Sequence, residues 1–189
     1  MENIQSNQKD KRLESVVLGG GCFWCTEAVY VRVHGVTDVE SGYCNGHVAN
    51  PSYEQVCGGG TGHVEVVRLE YDPAEITLRE ILEIFFAVHD PTTPNRQGND
   101  VGPQYRSGIY TSRLEQAEEA QAFIRQLGAD GAFGRPIVTE VQPLVNYWPA
   151  EDYHQDYFEK HPNQGYCAFV VGPKVEKFRE TFASRVKKG

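Results

Sequence analysis

Apolar and polar positions along this chain switch repeatedly between an alternating and a helical period, and the first switch is the sharpest. Ser15-Val16-Val17-Leu18 is an apolar run of strand character. It is followed by Gly19-Gly20-Gly21 and then by Cys22 to Val33, in which Ala28, Val29 and Val33 recur at helical spacing. A turn and a second strand follow over Gly35 to Tyr43, and then a long loop through Gly58-Gly59-Gly60-Thr61-Gly62. Loops of that length inside a domain commonly carry function. Val64 to Tyr71 reads as a strand stopped by Asp72-Pro73, and Thr77-Leu78-Arg79-Glu80 is a capping box opening a helix through Val88. A second long loop, His89 to Gln104, leads to a short strand near Arg106 to Tyr110. Another capping box, Ser112-Arg113-Leu114-Glu115, then opens a helix ended by Gly128. The pattern further predicts strands over Pro136 to Val141 and Tyr166 to Val171, a helical turn after Pro149, and a last helix begun by Pro173. Together these elements describe an α+β or α/β protein with a mixed sheet flanked by helices.

Composition narrows the setting. The 189 residues, 40% hydrophobic and 23% charged, fit one domain over residues 14–189 behind a polar lead-in, residues 1–13, expected to be disordered. A net charge of −8 with no concentrated basic face argues against nucleic acid or an acidic surface as partner. No apolar stretch approaches the ~20 residues of a membrane span, and Met1 to Leu13 lacks the apolar centre of a signal peptide, so no membrane association is expected. The expectation is a cytoplasmic monomer. Five cysteines in a chain of this length point to thiol chemistry in a reducing compartment more than to a disulfide framework.

The cysteines divide by context. Cys22 follows three glycines, precedes Phe23 and Trp24, and stands at a helix start. The free N–H groups and dipole of such a terminus favour a thiolate, which would lower the thiol from its usual ~8.5. Cys25 completes a C-x-x-C, the spacing of a redox pair or of half a zinc site. Zinc normally requires a second pair or histidines at ligand spacing, and Cys44 and Cys57 stand alone, so no metal and no cofactor is expected. Those two read as spectators. Cys167 fits either a core strand or a thiol that swings toward Cys22.

Five separated segments resemble one family, the type A peptide methionine sulfoxide reductases, over Val16 to Phe182. Gly20-Gly21-Cys22-Phe23-Trp24 is similar to that family's nucleophile motif, and Thr61-Gly62-His63-Val64-Glu65 to its Gly-His-x-Glu strand. The others are Asn50-Pro51-Ser52-Tyr53-Glu54, Arg96 to Asp100 with Gln104-Tyr105-Arg106-Ser107, and Glu151-Asp152-Tyr153-His154-Gln155-Asp156-Tyr157. The resemblance implies a ferredoxin-like two-layer α+β fold and thiol-dependent reduction of the S epimer of methionine sulfoxide, free or in oxidised proteins.

A sulfoxide sulfur is a poor electrophile until its oxygen is protonated. By that resemblance Cys22 attacks sulfur and Glu65 is the acid, which requires burial to raise its pKa above the ordinary ~4.3. Tyr53 and Tyr105 donate hydrogen bonds to the sulfoxide oxygen, Asp100 orients groups in the pocket, and Phe23 and Trp24, with Tyr166 beside them, enclose the S-methyl group. The sulfenic acid left on Cys22 is resolved by Cys167, the cysteine of a Gly-Tyr-Cys segment, or by Cys25, where many members carry glycine. Thioredoxin reduces the resulting disulfide. The rival reading is a thioredoxin-like disulfide oxidoreductase built on Cys22 and Cys25, which leaves the other four segments unexplained. His63 and His154 fall in matched segments as packing or supporting hydrogen-bond partners, and His34, His47, His89 and His161 show no pairing by spacing.

Overall fold

A computed structural model describes residues 12–188, so the lead-in expected to be disordered lies outside the described residues except for Arg12 and Leu13. The first half of the chain runs β1 (Glu14–Gly19), α1 (Phe23–Tyr30), β2 (Val36–Cys44), α2 (Tyr53–Cys57), β3 (Val64–Tyr71) and α3 (Leu78–Val88). The second half runs β4 (Arg96–Gln97), β5 (Asp100–Val101), β6 (Gly108–Thr111), α4 (Leu114–Ala129), β7 (Glu140–Pro143), β8 (Tyr147–Pro149), α5 (Tyr157–Lys160) and α6 (Gly172–Thr181). Six strands form one sheet in the order β7-β6-β1-β3-β2-β8. Its inner four, β6-β1-β3-β2, pair antiparallel and are linked as βαββαβ, the ferredoxin-like arrangement. β7 joins parallel to β6, which makes the sheet mixed.

Strand alternation divides the chain between two layers. Val16 and Leu18 of β1 and Val67, Leu69 and Tyr71 of β3 face the helices in the main core, while Val17, Val64 and Val66 pack with Cys44 and Tyr110 on the opposite side. The same period turns Glu65 toward the helices. α3 carries the expected capping box, with Thr77 accepting from the Glu80 N–H and Glu80 returning the bond, and its buried Leu78, Ile81, Leu82, Phe85 and Phe86 repeat at helical spacing. Among the described residues no helix is long and apolar enough to cross a membrane.

Several expected elements differ. Tyr166 to Val171 is not a strand; Cys167–Val171 is a π-helical turn that runs directly into α6. Its β-branched and aromatic residues suggested a strand, but burial of Cys167, Val171, Val175 and Phe178 follows a helical period. Pro173 stands at the start of α6 as expected, but the helical path already runs into it from the π turn. The wider π turn, in which the Gly172 N–H bonds to the Cys167 carbonyl, fits a proline ring that would otherwise crowd the carbonyl four residues earlier. The Ser112 box does not form: α4 starts from Arg113 without a side-chain cap. The helix expected from Cys22 to Val33 ends at Tyr30, and the strand expected from Pro136 begins at Glu140. Both long loops hold short elements the pattern did not show, α2 in the first and the β4–β5 hairpin in the second.

Candidate active site

The turn between β1 and α1 is built around Gly21, whose φ of +94° is left-handed and where an added Cβ would lie 2.6 Å from the Gln97 side chain. This turn delivers Cys22 as the residue capping α1. The first N–H of the helix, that of Phe23, donates to Glu65 Oε1 across 3.3 Å, so the carboxyl of β3 and the thiol of Cys22 share one helix terminus. Glu65 is 1% exposed and its second oxygen, Oε2, is buried without a partner among the described residues. Burial pushes its pKa up to about 8, the Phe23 N–H opposing and Asp100 adding to the rise.

Cys22 departs from the expectation of a lowered pKa. Burial pushes its thiol well up, the charge of Glu65 adds next and that of Cys25 after it, and the bond from the Trp24 N–H offsets only part. Only 9% of the residue is exposed, and at so dry a helix end desolvation outweighs the favourable dipole. Resting Cys22 is therefore a protonated thiol beside a largely protonated carboxyl.

Aromatic residues close around this pair. Trp24 stacks face to face on Tyr157, centroids 3.8 Å apart, donates from Nε1 to His154 Nδ1 at 3.1 Å, and meets Tyr166 edge-on. Phe23, expected at the substrate, is 1% exposed and packs inward against Tyr43, Tyr53 and His154, so it backs the site from the core while Trp24 and Tyr166 stay partly exposed. Tyr53 heads α2 and Tyr105 ends a 3-10 turn; both are half-buried, both hydroxyls are pushed up by burial, and both sense the charge of Glu65. Asp100 on β5 accepts a 2.6 Å bond from the Tyr166 hydroxyl, and its charge reaches Cys22, Cys25 and Glu65. The expected residues Cys22, Glu65, Tyr53, Tyr105, Asp100, Trp24 and Tyr166 thus converge from six separate segments.

The remaining cysteines separate. Cys25, 2% exposed, lies one turn along α1; its N–H donates to the Cys22 carbonyl and its sulfur stands 3.9 Å from the Tyr166 hydroxyl. Cys167 is fully buried behind Tyr166, and its charge acts on Cys25. Cys44 is sealed in the core on the far face of the sheet, whereas Cys57 is exposed at the rim beside Tyr53. All five are free thiols, and among the described residues no group of three or more His, Cys, Asp or Glu gathers as metal ligands.

The family model for peptide methionine sulfoxide reductase matches residues 14–186. The chain belongs to that family. It is 62% identical to the peptide methionine sulfoxide reductase MsrA of Ralstonia nicotianae across 93% of this chain and 94% of that one. Among solved structures it is similar to reduced Mxr1 of Saccharomyces cerevisiae, with a TM-score of 0.76 and 37% identity over 82% of this chain and 90% of that one. It is also similar to Mxr1 in complex with Trx2, with a TM-score of 0.54 and 26% identity over 78% of this chain and 86% of that one.

Within this member of the family, several supporting residues escaped sequence reasoning. Glu151 accepts from the Tyr43 hydroxyl at 2.9 Å and from the Tyr53 N–H at 3.1 Å. Glu27, 2% exposed, accepts from the Ser41 hydroxyl at 3.1 Å, and the N–H groups of Asp156 and Tyr157 favour its charged form, beside the ring that stacks on Trp24. Arg106 holds the turn bearing Tyr105 through the Pro103 carbonyl and also binds Glu140. The available signals were the matched segments themselves: Glu151 lies in 151–157 and Arg106 in 104–107, neither with a role assigned, whereas Glu27 lies in none. His63 and His154 do serve packing and hydrogen bonding: His63 pins the loop between Gly46 and Val48, and His154 anchors Trp24.

Proposed function

We propose that this chain reduces methionine S-sulfoxide to methionine, with Cys22 as nucleophile and Glu65 as acid. The observation that carries this reading is Glu65: a buried carboxyl whose pKa burial pushes up to about 8, with one oxygen unpartnered among the described residues, beside a thiol at the same helix terminus. That oxygen is where a sulfoxide oxygen finds its proton, and Tyr53 and Tyr105 supply further hydrogen bonds to it. Neutral Glu65 also withdraws the largest charge opposing ionisation of Cys22, so the carboxyl that activates the substrate leaves the nucleophile easier to ionise. Trp24 and Tyr166 form the apolar wall for the S-methyl group, with Phe23 behind them.

Cys22 attacks sulfur, the oxygen passes to Cys22, the substrate sulfur gains two electrons, and methionine leaves with Cys22 as a sulfenic acid. Cys25 is our choice of resolving thiol, because it lies one helical turn away and its charge acts directly on Cys22; Cys167 stands behind it as the second thiol. Resolution joins the two sulfurs and releases water. Thioredoxin then reduces the disulfide, a reading supported by the solved complex of the related Mxr1 with Trx2. Asp100 keeps Tyr166 in place beside Cys25. A cytoplasmic setting with oxidised proteins and free methionine sulfoxide as substrates completes the proposal.

The test is consumption of each resolved epimer by wild type and Cys22→Ser with dithiothreitol as reductant. Loss of the S epimer alone, abolished by the substitution, is the expected result. Turnover of a model disulfide with neither epimer consumed would mean that the C-x-x-C is a disulfide oxidoreductase centre and the proposal is wrong.

A further inference from the structure

Behind α1, away from the substrate side of Cys22, a small cavity is lined by Cys25, Gly20, Val88, His89 and Lys174 among others. It adjoins a wider cleft of about 770 Å³, lined by His89, Phe133, Arg135, Lys174 and Lys177, and neither is lined by Cys22. Val88, His89 and Lys174 belong to both, so Lys174, in the first turn of α6, stands at the neck between Cys25 and the cleft.

The surroundings of Lys174 leave its charge without an ordinary use. It forms no hydrogen bond or ion pair among the described residues, and its charged neighbours in the cleft include two further cations, Arg135 and Lys177, on a chain whose net charge is −8. Asp90 lines the cleft but is occupied by Thr92. Within the small cavity no carboxylate is present, and His89 is neutral, its pKa pushed down to about 4 by burial and its two ring nitrogens engaged by the Phe85 carbonyl and the Ser107 hydroxyl. Of the residues lining it, Cys25 is the one that can become an anion there.

We propose that Lys174 is the electrostatic partner of Cys25, its ammonium favouring the thiolate form of Cys25 that attacks the Cys22 sulfenic acid. The inference rests on Cys25 as the resolving thiol. The step balances without a further reagent: the Cys25 sulfur bonds to the Cys22 sulfur, the S–O bond breaks, and the hydroxide that departs takes up the proton Cys25 released, leaving as water. The groups acting on Cys25 are few. Burial raises it and sets the net direction, Lys174 and then the Tyr166 hydroxyl offset part of that rise, and Asp100 and Cys167 add smaller increases. Cys22 lies on its other side and is uncharged as a sulfenic acid. Lys174 is thus a positioning charge for the second step of the cycle, remote from the sulfoxide.

The experiment gives the enzyme one equivalent of methionine sulfoxide without reductant and follows disulfide formation by acid quench and titration of the remaining thiols in denaturant, between pH 6 and 9. Wild type is compared with Lys174→Met, Lys174→Arg and Cys25→Ser. Lys174→Met should close the disulfide about tenfold more slowly at pH 7, with the rising limb of its pH profile moved up by about one unit, and Lys174→Arg should restore most of the rate. Wild-type rate and profile in Lys174→Met, with closure abolished in Cys25→Ser, would overturn the role of Lys174 alone. Rapid closure in Cys25→Ser would overturn the resolving role of Cys25, and this inference with it.

Discussion

Glu65 shows how a single residue can serve chemistry at the expense of the fold. Its value in the folded protein, about 8, stands above its ordinary 4.5, so protonation favours the folded state. Below pH 4.5 the group costs nothing; the cost grows as pH rises through the interval and is complete above 8, at up to about 5 kcal/mol. Glu65→Gln keeps an acceptor for the Phe23 N–H but cannot ionise. It should therefore melt close to wild type at pH 5 and clearly above it at pH 9, as thermal scans at the two pH values will check. Its kcat/KM for the S-sulfoxide should fall by about 10²–10⁴, the usual worth of a positioned acid, and wild-type activity should decline as pH rises past 8. Glu27, raised to about 7 by burial, is a second carboxyl held against solvation, in this case beside Tyr157, whose ring stacks on Trp24.

Among the elements, the two capping boxes that form do different work. Thr77 starts α3, a three-turn helix buried against the core, whereas Ser52 starts α2, a five-residue helix whose first residue is Tyr53. Thr77→Ala should cost about 1 kcal/mol in denaturant unfolding and leave the kinetics untouched. Ser52→Ala should cost a similar ~1 kcal/mol or less and lower kcat/KM about tenfold, because it loosens the backbone that aims Tyr53. Ser112→Ala, at the box that does not form, should change stability by less than about 0.5 kcal/mol. The Ser112 segment had the right letters, and its failure is a matter of competition: the Ser112 N–H turns to Gln116, whose amide in turn donates to the Ser15 carbonyl of β1. A tertiary contact thus holds Gln116 where it takes the Ser112 N–H that Glu115 would have accepted in the box.

For the molecule as a whole, the ferredoxin-like sheet is what makes a distributed site possible. β1 and β3 lie at its centre, so Cys22 and Glu65 are delivered by neighbouring strands, and loops from the far ends of the chain close over them. Leu18, fully buried on β1 just ahead of the glycine turn, ties the sheet to the helices. Leu18→Ala should cost about 2–5 kcal/mol and lower the thermal midpoint by about 5–15 °C in one transition, which calorimetry will show.

What the sequence by itself determined is whatever depends on near neighbours: the valine-rich strands β1 and β3, the capped and periodic α3, and the glycine turn that sets Cys22 on a helix start. Those follow from side-chain period and backbone freedom, which act over a few residues. The tertiary structure alone decided how the residues at that turn behave. Trp24 is anchored by His154, 130 residues away, and Tyr166 by Asp100, 66 residues away, contacts that no local pattern encodes. The direction of the Cys22 pKa was settled in the same way. A helix N-terminus is visible in the letters, but desolvation depends on what the rest of the chain packs over it, and here burial outweighs the dipole. The π turn at Cys167 follows from the same competition, since a run of β-forming residues was overruled by the helical face it buries against the core.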